Sequence, residues 1–175
     1  QGTIYANADT GVQWDHPALK THYSGWDGAS ANHNYAWWDA IHADISGNGT
    51  NPCGFNLTAP CDDYGHGTHT TGIGVGDDGA GNQIGVAPGA KWIACKACNS
   101  SGSCPDNALT TCAQWIAAPG GDASKRPNVV NNSWGGGGGD NWYQSYVQNW
   151  AAAGIFPAFS VGNSGSNCNT AGSPG

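Results

Sequence analysis

The sequence predicts an α/β fold, a mostly parallel sheet with helices on both faces. Three observations carry this. Four short, β-rich apolar runs recur along the chain, Ile4 to Ala8, Lys91 to Cys95, Val129 to Asn132 and Phe156 to Val161. Between the later runs lie helix-length segments, Asn107 to Ala118 and Asn141 to Ala153, the second closed by Gly154 as a C-terminal cap. The resulting alternation of strand and helix is what right-handed βαβ crossovers produce, and it puts ligand sites at the carboxyl ends of the strands.

Composition narrows the class further. A chain of 175 residues is the size of one domain and is long enough to bury a core. Only 10% of residues are charged, all twelve acids are Asp, and Met is absent, which excludes a charged helical bundle or coiled coil. The net charge of −7 comes with four Lys and one Arg, so no basic face exists to neutralise phosphates, and nucleic acid is excluded as a partner. No run of eighteen apolar residues occurs, so no membrane partner is expected. The start, Gln1-Gly2-Thr3-Ile4, has no basic or apolar leader, which reads as a mature, processed chain. Seven Cys and Asn-x-Ser/Thr sequons at Asn48, Asn56, Asn99 and Asn131 favour a secreted, extracellular setting, and the odd Cys count leaves at least one thiol without an intrachain partner.

Taken in order, the first strand ends at Asp9-Thr10-Gly11, where a carboxylate can enter a cleft or simply close an Asx turn. Residues 21 to 64 scatter Trp, Asn, Asp, Gly and His without period around Gly47-Asn48-Gly49-Thr50 and read as a long surface excursion. Cys53 and Cys61 within it suit a loop-closing disulfide. Tyr64 to Gly72 follows, small residues around His66 and His69, a composition that suits a helix pressed against a sheet with His66 at its start. A zinc site from His66, His69, Cys95 and Cys98 is disfavoured, because the His pair lacks an intervening Glu and the Cys pair is crowded by Cys104 and Cys112. The loop Gly76 to Asn82 supplies hard oxygen donors, so Asp77, Asp78 and Asn82 are candidates for a structural calcium ion, with a polar Asp-Gly turn as the alternative. Asn131-Asn132-Ser133-Trp134-Gly135-Gly136 and Phe159-Ser160-Val161-Gly162-Asn163-Ser164-Gly165 each end a strand in a glycine-rich turn. An Asn amide held there, such as Asn163, can donate to a developing oxyanion.

Together these blocks resemble the N-terminal and middle part of a subtilisin-like serine protease, a subtilase. Asp9-Thr10-Gly11-Val12 with His16-Pro17-Ala18-Leu19 resembles the family's Asp block, and Gly65-His66-Gly67-Thr68-His69 resembles its His block. Ser133 to Gly136 and Gly162 to Gly165 resemble its pocket strand and oxyanion turn. The excursion, with Trp37-Trp38 and two Cys, is similar to that of a subgroup of bacillopeptidase F type. The resemblance implies a subtilisin-like three-layer fold that is incomplete here, residues 1 to 175 being a portion of one catalytic domain. It implies that Asp9 orients His66, that His66 is general base and then acid, and that Asn163 holds the oxyanion. Ser101 and Gly102 would belong to the substrate-binding edge, Ser133, Trp134 and Gly135 to one pocket wall, Ser160, Val161 and Gly162 to the facing wall, and Gly172 to the pocket base. No cofactor is implied for catalysis, and the partners are a protein or peptide substrate and a C-terminal remainder of the enzyme.

One block is missing. The family's Gly-Thr-Ser-Met-Ala nucleophile segment has no counterpart, so the catalytic Ser is expected beyond this chain. The leading expectation is a secreted endopeptidase acting through an acyl-enzyme. The alternatives are a catalytically inactive subtilase fragment or pseudo-protease and, from another class, a carbohydrate-binding module in which some of the nine Trp stack on sugars.

Overall fold

A computed structural model describes residues 2–42 and 51–175. Five strands form one parallel sheet: β1 (Ile4–Asp9), β2 (Trp37–Asp39), β3 (Lys91–Lys96), β4 (Val129–Asn132) and β5 (Phe156–Phe159), in the order β2-β3-β1-β4-β5. Among the described residues three helices accompany it: α1 (His66–Val75), α2 (Asp106–Ala117) and α3 (Gln144–Ala152), with single 3-10 turns at Lys20–His22, Pro119–Gly121 and Ala123–Lys125. The mostly parallel α/β sheet expected from the alternation is present. Helix α3 ends as its glycine suggests, with Gly154 at a φ of +79° just past the last turn.

Side-chain direction places the helices. Along β1, Asn7 donates from Nδ2 to the Gly67 carbonyl and to the Thr70 and Thr71 hydroxyls, so α1 lies on the face to which Asn7 and Asp9 point. The opposite face carries α2: Cys95, the register partner of Ala8, is disulfide-bonded to Cys112 on α2. Helix α3 packs beside α2, with Trp150 Nε1 donating to the Ala113 carbonyl at 3.0 Å and the Tyr143 hydroxyl to the Leu109 carbonyl at 3.1 Å. Helices therefore cover both faces.

The handedness expected from the sequence is not uniform. The crossovers β2–α1–β3, β3–α2–β4 and β4–α3–β5 all step the same way across the sheet, yet α1 lies on one face and α2 and α3 on the other. The first crossover thus has the opposite hand to the two that follow, a departure from the preference for one hand. The excursion also differs from expectation, since it contains β2, which pairs with β3 and forms an edge of the sheet. The sequon at Asn48 and the turn at residues 47–50 lie outside the described residues.

The core is continuous from Ala6 and Ala8 on β1 through Trp92, Ile93 and Ala94 on β3 to Leu109, Cys112 and Ile116 on α2 and Trp150 on α3. Of the nine Trp, Trp37, Trp92, Trp115, Trp134 and Trp150 are buried, and Trp14 packs against Tyr23, His33 and Trp26. Core packing accounts for most of them. Among the described residues no helix is long and apolar enough to cross a membrane.

Candidate active site

The carboxyl ends of β1 and β4 open onto a cleft of roughly 670 Å3. Asp9, the last residue of β1, is 3% exposed and presents its carboxylate to α1. Its Oδ1 lies 2.7 Å from His66 Nδ1 and also accepts the Thr10 N–H at 2.7 Å, while Oδ2 accepts the Thr70 hydroxyl at 3.0 Å. The buried carboxylate thus gathers three partners. As a carboxylate it accepts, which directs Nδ1 of His66 to donate and leaves Nε2 free of Asp9. The His66 side chain is 40% exposed and lines the cleft.

Why His66 arrives there is local. Gly65, with a φ of +92°, turns the chain into α1. Asp62 caps that helix, its Oδ1 accepting the N–H groups of Tyr64 and Gly65 and its Oδ2 the N–H and hydroxyl of Thr68. Burial pushes the Asp62 carboxyl up, but the hydrogen bonds from Thr68, Gly65 and Thr10 outweigh it and hold the group below the usual carboxylate range. Thr10 stitches strand to helix, its hydroxyl donating to Asp62 at 2.9 Å and accepting the Gly67 N–H at 2.9 Å. Gly67 permits the approach: a Cβ there would stand 2.0 Å from the Gly11 carbonyl oxygen and 3.1 Å from Asp9 Cβ.

The remaining candidates separate into lining and support. Gly102, Ser133, Trp134, Gly135 and Asn163 line the same cleft as Asp9 and His66. Asn163 is exposed, and among the described residues its side chain has no hydrogen-bond partner. Ser101, Ser160, Val161, Gly162 and Gly172 are not in the lining. The Ser101 N–H and hydroxyl are turned to Asn99 Oδ1, at 3.0 and 2.7 Å, in a loop closed by the Cys98–Cys104 disulfide. Ser160 donates from N to the Asn132 carbonyl, and Gly172 from N to the Val161 carbonyl at 2.8 Å, so these residues back the wall. Gly172 is needed for backbone approach and not for an open base, since a Cβ there would stand 2.6 Å from the Gly136 carbonyl oxygen.

Residues that no motif singled out complete the cleft: Tyr64, Asp106, Leu109, Asp140, Trp142, Ser173 and Pro174. Its described lining includes three carboxylates and neither Lys nor Arg. Tyr64 opens the small-residue segment around His66, next to the Gly65–His69 block, and an aromatic ring there is a signal. Asp106, Asp140 and Trp142 reach the cleft only through tertiary structure.

The expected disulfide Cys53–Cys61 is present, and the four central Cys pair as 95–112 and 98–104, leaving Cys168 free and exposed. Cys95 and Cys98 are thereby unable to serve as thiolate ligands. In the 76–82 loop, Asp77 accepts from Gly79 N, and Asp78 from Ala80 N and Asn82 N. These carboxylates close Asx turns. Among the described residues no group of three His, Cys, Asp or Glu could hold a metal ion.

A buried carboxylate orienting an imidazole at the mouth of a parallel sheet, with a free amide across the cleft, is an arrangement that can take a proton from a nucleophile placed in the cleft. The chain belongs to the subtilase family, whose pattern it matches over residues 1–175. It is 45% identical over 173 residues to bacillopeptidase F of Bacillus subtilis (strain 168), an alignment covering 93% of this chain and 11% of that protein. Subtilisin DY of Bacillus licheniformis is 36% identical over 115 residues, covering 65% of this chain and 40% of the relative. Among solved structures, the S41 psychrophilic protease superposes with a TM-score of 0.70 at 26% identity, over 99% of this chain and 50% of the other. A cold adapted subtilisin-like serine proteinase shares the fold, with a TM-score of 0.67 at 23% identity, over 99% of this chain and 50% of that one. The chain thus spans half or less of each of these relatives.

Proposed function

We propose that this chain is the portion of a secreted serine endopeptidase that supplies the Asp and His of the catalytic triad and the Asn of the oxyanion hole, the nucleophilic Ser lying outside it. The observation that carries the reading is the 2.7 Å contact of buried Asp9 with His66, whose other nitrogen is left as a base at the edge of the cleft. In this mechanism His66 Nε2 takes the serine proton as Oγ attacks the scissile carbonyl, and Asp9 stabilises the imidazolium that forms. Asn163 donates to the carbonyl oxygen as it becomes an oxyanion. His66 then returns the proton to the leaving amine, and water repeats the sequence on the acyl-enzyme.

Residues 1–175 are then part of one catalytic domain, completed by the remainder of the enzyme, and the substrate is a polypeptide. Leu109, Trp134 and Trp142 in the cleft support a large apolar side chain on the acyl side of the cut bond. A chromogenic peptide panel that shows Arg preferred over Phe there would reject this and point to Asp106 and Asp140. Three disulfides, and Asn56 as an exposed sequon, fit an extracellular protein. The test of the main reading is the intact mass of the purified, reduced protein before and after a fluorophosphonate. Labelling of a polypeptide or segment other than residues 1–175 supports it. No label anywhere makes the protein an inactive member of its family.

A further inference from the structure

We propose that Lys96 is a positioning residue for the Asp9–His66 pair, its buried ammonium tying the turn after Asp9 to the segment that leads into the His66 helix. The inference rests on the proteolytic reading above and concerns how its dyad is held. Lys96 ends β3 as the register partner of Asp9, so the two side chains leave the sheet on the same face. It is 0% exposed. Its Nζ donates to the Thr10 carbonyl and, at 2.6 Å, to Oδ1 of Asp63, which is equally buried.

Lysine is almost never buried without a partner, and here both of its partners belong to the dyad's scaffold. Thr10 follows Asp9, and Asp63 follows Asp62, the cap of α1. The second oxygen of Asp63 accepts the N–H of Cys53, which the Cys53–Cys61 disulfide binds to the same segment. The turn after Asp9 is therefore gripped from two sides, through the Thr10 hydroxyl by Asp62 and α1 and through the Thr10 carbonyl by Lys96. Buried ion pairs contribute little net stability, because desolvation offsets their attraction. This one fixes direction, which a pair of apolar side chains of the same volume would not do.

Three variants of the full-length protein test this: K96M, D63N and the double variant K96M/D63L. Each is read by kcat and KM on a chromogenic peptide, by thermal melting, and by the low-field proton NMR resonance of the His66 Nδ1–H bound to Asp9. K96M leaves Asp63 buried and unpaired, so both melting temperature and kcat fall. The double variant removes the unpaired charge and regains the melting temperature. If Lys96 positions the dyad, kcat of the double variant nonetheless stays down by about tenfold to a hundredfold with KM little changed, as sub-ångström misplacement produces, and the low-field resonance is broadened or moved upfield. Recovery of wild-type kcat and resonance in the double variant overturns the proposal.

D63N keeps an acceptor for Lys96 and serves if the other two fail to fold. D63N weakens the tie between Lys96 and the segment before α1 while leaving the Asp39 carboxylate near enough to interact with the ammonium. If Lys96 positions the dyad, kcat of D63N falls by about threefold or more with KM little changed, and the low-field resonance moves upfield. An unmoved kcat and resonance overturn the proposal. If the wild-type protein is inactive, the proteolytic reading fails, and the low-field resonance across the variants still decides what Lys96 does.

Discussion

Replacing Gly67 by Ala separates helix propensity from the demands of the site. In an exposed helix interior the change would stabilise by about 1 kcal/mol. Here the new Cβ would stand 2.0 Å from the Gly11 carbonyl oxygen. An ordinary carbon–oxygen contact is about 3.3 Å, so helix and strand turn must part by more than 1 Å. The neighbours are backbone and the Cβ of Asp9, none of which can swing aside. Overpacking costs about 1–3 kcal/mol; against rigid backbone the upper part of that range, about 2–3 kcal/mol, applies, and less the propensity gain the net loss is about 1–2 kcal/mol. For a domain of this size that is a fall of a few degrees in melting temperature, on the order of 2–8 °C. The parting also lengthens the Asp9–His66 contact, and a displacement of about 1 Å in catalytic geometry costs roughly a hundredfold in rate. Melting curves and kcat of the full-length enzyme check both. A G67A enzyme that melts higher than wild type, or keeps kcat within twofold, would refute the close-approach argument.

Other consequences are equally open to measurement. Asn163→Ala should lower kcat by about 10²–10³ with a small change in KM, the range for one oxyanion donor, itself known from a subtilisin; an unchanged kcat would remove Asn163 from the site. Asp62 has a depressed pKa, so its contribution is present above the unfolded carboxylate value near 4 and is lost as pH falls through the lower folded value. Asp62→Asn should therefore lower stability at neutral pH by about 1 kcal/mol, as loss of a cap does, and bring the two proteins' stabilities together in acid; parallel acid-denaturation curves would contradict this. Burial raises Tyr5, Tyr23 and Tyr143, Tyr5 also through Asp9 and Tyr143 also through Tyr146. These three phenols favour the folded state below the unfolded value near 10 and cease to do so at higher pH, so absorbance at high pH should show them ionising only with unfolding. Replacing Cys98 and Cys104 together by Ala should cost about 2 kcal/mol for so short a loop and raise KM more than it lowers kcat, since the closed loop carries Gly102 and Ser103 of the cleft wall.

Much of this architecture is legible in the sequence because it is written in local pattern. The runs at Ile4, Lys91, Val129 and Phe156 are strands since their β-rich residues face two covered sides of a parallel sheet. Helix α1 is legible through its small residues, of which Gly67 makes the reason explicit. Strand β2 escapes, being three residues long and held by β3 and by Asp39, whose carboxylate accepts the N–H groups of Ile41 and Leu57. The hand of the first crossover escapes for a different reason: no residue encodes it, and the general preference points the other way. In the site, Asp9, His66 and Asn163 are legible as motifs. Lys96 and Asp63 are not, because a buried ion pair has no spacing in the chain and reads as two surface charges.

The position of β1 has a consequence for how the chain is made. Of the five strands of the sheet it is made first and is the central one, and its neighbours β3 and β4 are encoded far downstream, Asn131 lying 124 residues beyond Asn7. At about 5–20 residues per second, β1 waits roughly 6–25 s for its last partner, with both edges unsatisfied. A purely apolar strand in that state would template association with other nascent chains. Asn7 and Asp9, which later dock α1 and orient His66, interrupt the apolar run and place a polar amide and a charge where such pairing would start. The residues that anchor α1 to the sheet thus also blunt the open edges of its earliest strand until the sheet can close around it.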